Sequence, residues 1–168
     1  MKLLAVSALV CALMALSRAD AAAEPEPQEV KADVSVAKRT CPWHRIGHRY
    51  FYYVHQHLTW KQAEAHCCSL GGHLASVHSL WEYKQIQAFV KKRNCRNPEV
   101  WLGGNDIQKE GVWRWSDGSC FNFRKWCCGE PNNGAGSNQD CLQMNYSGHK
   151  CWDDLWCHHR IPSVCVRG

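Results

Sequence analysis

The hydrophobic pattern changes character along the chain. From Leu3 to Leu16 only Ser7 interrupts a run of apolar residues, so that run has neither a face nor a period. It falls short of the ~18 residues that a membrane span needs. Met1-Lys2 precede it and Ala19-Asp20-Ala21-Ala22-Ala23 follow. A basic start, a short apolar middle and a small-residue end predict a signal peptide over residues 1–23, with Ala19, Ala21 and Ala23 all suitable cleavage positions. Residues 24–39 contain no aromatic residue and are broken by Pro25 and Pro27. Nothing there offsets the entropy of ordering, so they read as a linker or propeptide. Lys38-Arg39 fits a dibasic processing site and a solvated pair equally well.

Periodic order begins further on. Arg49 to Val54 is aromatic and β-branched, which predicts a strand. Thr59-Trp60-Lys61-Gln62 forms a T-x-x-Q capping box, and Trp60, Ala63 and Cys67 then share one helical face. Gly71-Gly72 ends that helix, and residues 73–77 read as a short strand. Ser79-Leu80-Trp81-Glu82 opens a second helix with an S-x-x-E box. Tyr83, Ile86, Phe89 and Val90 form its apolar face, and Lys91-Lys92-Arg93 oppose the dipole in its last turn. Short strands are predicted over residues 100–103, 112–115, 141–145, 149–152 and 163–166, with long Gly- and Asn-rich connections. A strand, two helices and then many short strands indicate one α+β domain over residues 40–168.

Composition sharpens this picture. The chain of 168 residues holds 12 cysteines, all but Cys11 beyond residue 39. Behind a signal peptide, that density marks a disulfide scaffold. Zinc is the rival use, but there is no C-x-x-C pair, and the doublets Cys67-Cys68 and Cys127-Cys128 lack finger spacing. A hydrophobic share of 45% excludes general disorder. The charge of +5 is spread rather than clustered, which argues against nucleic acid. No nucleophile elbow and no H-E-x-x-H are present, so an enzyme is not expected.

One region carries chemistry. Calcium takes six to eight oxygens, many from carboxylates and amides. Glu130-Pro131-Asn132 supplies such oxygens around an X-Pro bond, which adopts cis at modest cost and would then turn both flanking side chains toward one ion. Gln139-Asp140 and Asp153-Asp154 add more. A carboxylate pair such as Glu130 and Asp154 imitates a glycosidase, but a cation between them removes the general acid. Asn145-Tyr146-Ser147 is an N-glycosylation sequon before a turn-like glycine.

Residues 41–168 resemble the C-type lectin-like domain, in the branch of secreted fish lectins and the related type II antifreeze proteins. The resemblance rests on Trp101-Leu102-Gly103-Gly104, Trp113 to Gly118, Phe123 with Trp126, Glu130-Pro131-Asn132, Cys141, Cys151-Trp152-Asp153-Asp154 and Cys165. It implies a disulfide-stapled double-loop α+β fold, with tryptophans 101, 113, 115 and 126 packing the core. It also implies the bonds Cys67–Cys165 and Cys141–Cys157, and from the antifreeze-like branch Cys127–Cys151. The chain departs from the family at Tyr50, Ile107 and Asp140, which stand where other family bonds have cysteines. Cys41, Cys68, Cys95, Cys120 and Cys128 are left over, and an odd number suggests an interchain bond or a free thiol. A disulfide-linked homodimer is the expectation.

By the same resemblance Glu130, Asn132, Gln139, Asp153 and Asp154 are the calcium ligands and also hold the sugar. The order Glu130 then Asn132 goes with mannose in the family. Gln139 and Asp153 exchange donor and acceptor relative to the usual second pair, which leaves galactose open. The function implied is a secreted, calcium-dependent lectin that binds terminal sugars and agglutinates as a dimer. An ice-binding protein and a lectin-like toxin or inhibitor subunit that binds protein are the alternatives.

Overall fold

A computed structural model describes residues 43–134, 136 and 138–168. The segments expected to be a signal peptide and a linker, and Cys41, lie outside these residues. Ten elements follow in order: β1 (His44–Ile46), β2 (Arg49–Leu58), α1 (Trp60–Ser69), β3 (His73–Leu74), α2 (Leu80–Arg93), β4 (Val100–Asn105), β5 (Arg114–Trp115), β6 (Cys141–Tyr146), β7 (Cys151–Leu155) and β8 (Ile161–Arg167).

The caps explain where the helices start. Thr59 accepts from the Gln62 N–H at 3.3 Å, and the Gln62 side chain accepts from the Thr59 N–H at 3.2 Å, so this box is closed in both directions. The second box closes only halfway. Ser79 accepts from the Glu82 N–H at 3.1 Å, but Glu82 turns its carboxylate to the His78 N–H at 2.8 Å and to the Arg49 guanidinium. The S-x-x-E pattern carries no information about Arg49, whose ion pair outcompetes the reciprocal cap and ties α2 to β2.

The strands run in the order β1-β2-β8-β4-β6-β7, with β3 added beside β8 and β5 beside β4. β2 pairs antiparallel with β8 from Tyr50↔Arg167 to Leu58↔Ile161, which closes the start of the domain onto its end. Only β4 against β8 is parallel within that path. Several boundaries differ from the sequence expectation. β1 was not anticipated, Val112 and Trp113 lie outside β5, and residues 149–150 form a turn that delays β7 to Cys151. Residues 75–77 form no strand, although Ala75 bridges Val164 O and Gly103 N at 2.8 and 2.9 Å.

The core lies in two clusters. One gathers Phe51, Tyr83, Ile86, Val90, Leu102, Trp115, Leu142 and Trp152, with Trp113 and Trp126 partly buried against it. The other packs Trp60, Ala63 and Cys67 of α1 against Leu74 and Trp101. The indoles of this second cluster are bonded, Trp60 to Leu102 O at 2.8 Å and Trp101 to Leu58 O at 3.0 Å. Disulfides Cys67–Cys165, Cys127–Cys151 and Cys141–Cys157 join cysteines 98, 24 and 16 positions apart in sequence. Each is worth typically ~2–4 kcal/mol. Cys68, Cys95, Cys120 and Cys128 are unpaired and exposed.

Gly72 is a packing requirement of this arrangement. A Cβ there would sit 2.3 Å from Val166 O, a backbone atom of β8 that cannot swing away. Gly72→Ala is expected to lower the unfolding free energy by roughly 1–3 kcal/mol, read as a fall in the urea midpoint at unchanged slope.

Candidate functional site

The connection between β5 and β6 is long, and β7 runs along its base. Trp126 forms a parallel bridge with Trp152, and Cys127 N donates to Trp152 O at 2.8 Å. Together with Cys127–Cys151 this brings residues 127–133 over the Asp153-Asp154 pair. The Glu130–Pro131 peptide bond is cis.

Three carboxylates converge there: oxygens of Glu130, Asp153 and Asp154 lie within 4.8 Å of one another. Asp153 and Asp154 are buried at 6% and 1% exposure. Each aspartate has a distinct local duty. Asp154 accepts the Asn132 N–H at 2.9 Å and the Asn133 N–H at 2.7 Å, so it anchors the loop backbone. Asp153 accepts from Gln143 Nε2 at 2.7 Å, across a directly opposed β6–β7 pair. Glu130 Oε2 is buried and no donor reaches it.

A buried acceptor among acceptors is costly unless a cation or a proton joins it. The titration behaviour reflects this. Burial first, then the Asp153 charge, pushes the Glu130 carboxyl up to about 7. Burial likewise raises Asp153, and Asp140 is raised by burial with Glu110 and Asp154 as neighbours. A crowded set of hard oxygens, one of them orphaned, fits a calcium-type ion.

The other two sequence-derived residues lie differently. Asn132 Oδ1 accepts from the Gly134 N–H at 2.6 Å. Gln139 is buried, with its Oε1 only 2.5 Å from where a Gly134 Cβ would be. The structure thus gathers Glu130, Asp153 and Asp154, and sets Asn132 and Gln139 around Gly134. Gly134 has φ +36, and a side chain would displace Gln139.

Two further residues organise the site and were not anticipated. Asn133 accepts from Gln139 N at 2.9 Å and donates to Glu110 at 2.7 Å, which pins both ends of the loop. Its signal was the Asn-Gly turn pair. Gln143 was visible only as a polar residue inside the apolar strand β6, where its Oε1 is also left without a partner.

Asn145, where the sequon led to an expected glycan, is placed inside the fold. Asn145 is fully buried, and its Nδ2 donates to Asn97 Oδ1 at 3.0 Å and Pro98 O at 2.9 Å. A glycan would replace one of the two Nδ2 hydrogens, breaking at least one of these bonds at a nitrogen whose residue is fully buried.

The chain is 40% identical over 168 residues to the type-2 ice-structuring protein of Hemitripterus americanus, covering 98% of each chain. It is 35% identical to ladderlectin of Oncorhynchus mykiss, over 97% of this chain and 92% of that one. The solved structure of a Ca2+-dependent type II antifreeze protein in its Ca2+-free form matches with a TM-score of 0.70 at 32% identity, over 76% of this chain and 100% of that one. Residues 56–167 match the Lectin C-type domain, and the chain therefore belongs to the C-type lectin family, whose members here are non-enzymatic.

Proposed function

We propose that this protein is a secreted, calcium-dependent lectin, holding calcium through Glu130, Asn132, Gln139, Asp153 and Asp154. The observation that carries the reading is the Glu130–Asp153–Asp154 convergence, with a buried Glu130 oxygen that no donor reaches. Calcium bound there supplies positions for two vicinal sugar hydroxyls. Glu130 accepts from one such hydroxyl while the Asn132 amide donates to it. Asp153 and Gln139 offer the same pair with their order exchanged. The Glu130–Asn132 order favours mannose over galactose. Cys68, Cys95, Cys120 and Cys128 are all exposed, which leaves each sterically open to an interchain disulfide, and a dimer would convert two weak sites into avidity.

The test is retention on mannose and galactose resins in calcium, followed by a chelator wash. The expected outcome is retention on mannose and release by the chelator. Ice binding is the second reading, favoured by the 40% identity to an ice-structuring protein along almost the whole chain. Passage through both resins together with thermal hysteresis would replace the lectin reading by that one. Calcium-independent capture by a protein target would replace both.

A further inference from the structure

A second group of metal-ligating side chains converges away from the carboxylate site. Glu64 and Cys68 are one helical turn apart on α1 and so share a face. His73 returns to that face at the start of β3, just past the Gly71-Gly72 turn. The three ligand atoms lie within 4.8 Å of one another. Cys68 Sγ is 3.5 Å from Glu64 Oε1 and 3.8 Å from His73 Nδ1, and His73 Nδ1 is 2.7 Å from the same Glu64 oxygen.

We propose that Glu64, Cys68 and His73 form a transition-metal site, with zinc the fitting ion. The donor set decides the class. A thiolate and an imidazole select a borderline-soft ion over calcium or magnesium, and a third ligand from a carboxylate is common at zinc centres with an open position. The spacing agrees. Tetrahedral zinc with ordinary bond lengths separates sulfur from nitrogen or oxygen by roughly 3.6 Å, and nitrogen from oxygen by roughly 3.3 Å. Both sulfur separations already match, and the His73–Glu64 contact needs to open by only about half an ångström.

The site is also braced from outside. The other Glu64 oxygen accepts from the Leu74 N–H at 2.8 Å and from Ser116 Oγ at 2.9 Å, which fixes the carboxylate's orientation. Ligating groups at metal centres are held by outer hydrogen bonds of this kind. Cys67 lies next to Cys68 and is bonded to Cys165, so the helix end carrying the thiol is tethered. Cys68 and the His73 ring are exposed to solvent, which gives an ion a path of entry. This proposal stands whether or not the calcium site binds sugar.

Zinc chloride, with the full secreted chain kept in excess calcium, is the probe. Zinc is expected to protect Cys68 from alkylation, read by peptide mass mapping, while whichever of Cys95, Cys120 and Cys128 are free thiols react at the same rate with and without it. Cobalt in its place is expected to give a thiolate charge-transfer band that Cys68→Ser abolishes. His73→Asn should weaken zinc protection of Cys68 on the order of tenfold or more, and Ser116→Ala should weaken it about tenfold through Glu64. Alkylation of Cys68 at the same rate with and without zinc would overturn the site. Protection that persists unchanged in His73→Asn would do so as well, as would recovery of Cys68 as an interchain disulfide in the native protein.

Discussion

Glu130→Gln is expected to abolish calcium-dependent retention on sugar and to weaken calcium binding on the order of a hundredfold, because ligand charge count sets affinity at such sites. Glu130 is the informative position because its buried Oε2 accepts from no backbone or side-chain donor. Asp154→Ala would mix two effects, since Asp154 also holds the Asn132 and Asn133 N–H groups. The same variant tests the electrostatics without sugar. Glu130 is pushed up to about 7 from an ordinary value of 4.5, so the folded chain holds its proton more tightly than the unfolded chain. By linkage, stability in a chelator is then greatest at low pH and declines as pH rises from about 4.5 through about 7. Asp153 and Asp140 act in the same direction. The calcium-free protein should therefore have a higher urea midpoint at pH 5 than at pH 8, with a smaller difference in Glu130→Gln. Added calcium should raise the midpoint at pH 8 in the wild type and have little effect in the variant. An identical pH slope in both proteins would place the orphaned carboxylate elsewhere.

Local rules made the helices legible. A cap followed by apolar residues at helical spacing placed α1 and α2, because both signals lie within a few residues of each other. The second capping box failed as a reciprocal pair for a non-local reason: Arg49, far away in sequence, takes Glu82. Short strands were legible as aromatic and β-branched clusters, while their ends were set by partners. Residues 149–150 became a turn because Asn145, Ser147 and Lys150 take positive φ, which no strand pattern announces. The Glu130, Asp153 and Asp154 cluster was legible as residue types, but its coherence depends on Trp126, Cys127 and Cys151 drawing the loop onto β7. Asn145 shows the opposite limit. Its tripeptide satisfies a sequon rule that is blind to burial, and the side chain is spent on residues 97–98.

Trp152→Ala is expected to cost roughly 3–5 kcal/mol of stability, the range for losing a large buried aromatic, and to weaken calcium binding as well. Trp152 is fully buried and lies with its ring centroid between 5.6 and 6.1 Å from those of Tyr83, Trp115, Phe121, Phe123 and Trp126, most of them edge-on. It is thus the centre where α2, β5 and the long loop meet. Its backbone binds that loop too, donating to Lys125 O and accepting from Cys127 N, both at 2.8 Å. The next two residues are Asp153 and Asp154. A cavity at Trp152 would loosen both the strand that carries these carboxylates and the loop that carries Glu130, so the three oxygens would lose their common register. Trp152→Phe separates the two contributions. It keeps an aromatic centre and removes an indole N–H that is buried without a partner, so part of the lost packing is offset. Phe should therefore retain most of the calcium affinity that Ala loses, measured by titration at a temperature where both variants remain folded. Equal calcium affinity in Trp152→Ala and wild type would show that the disulfides alone hold the carboxylates in place.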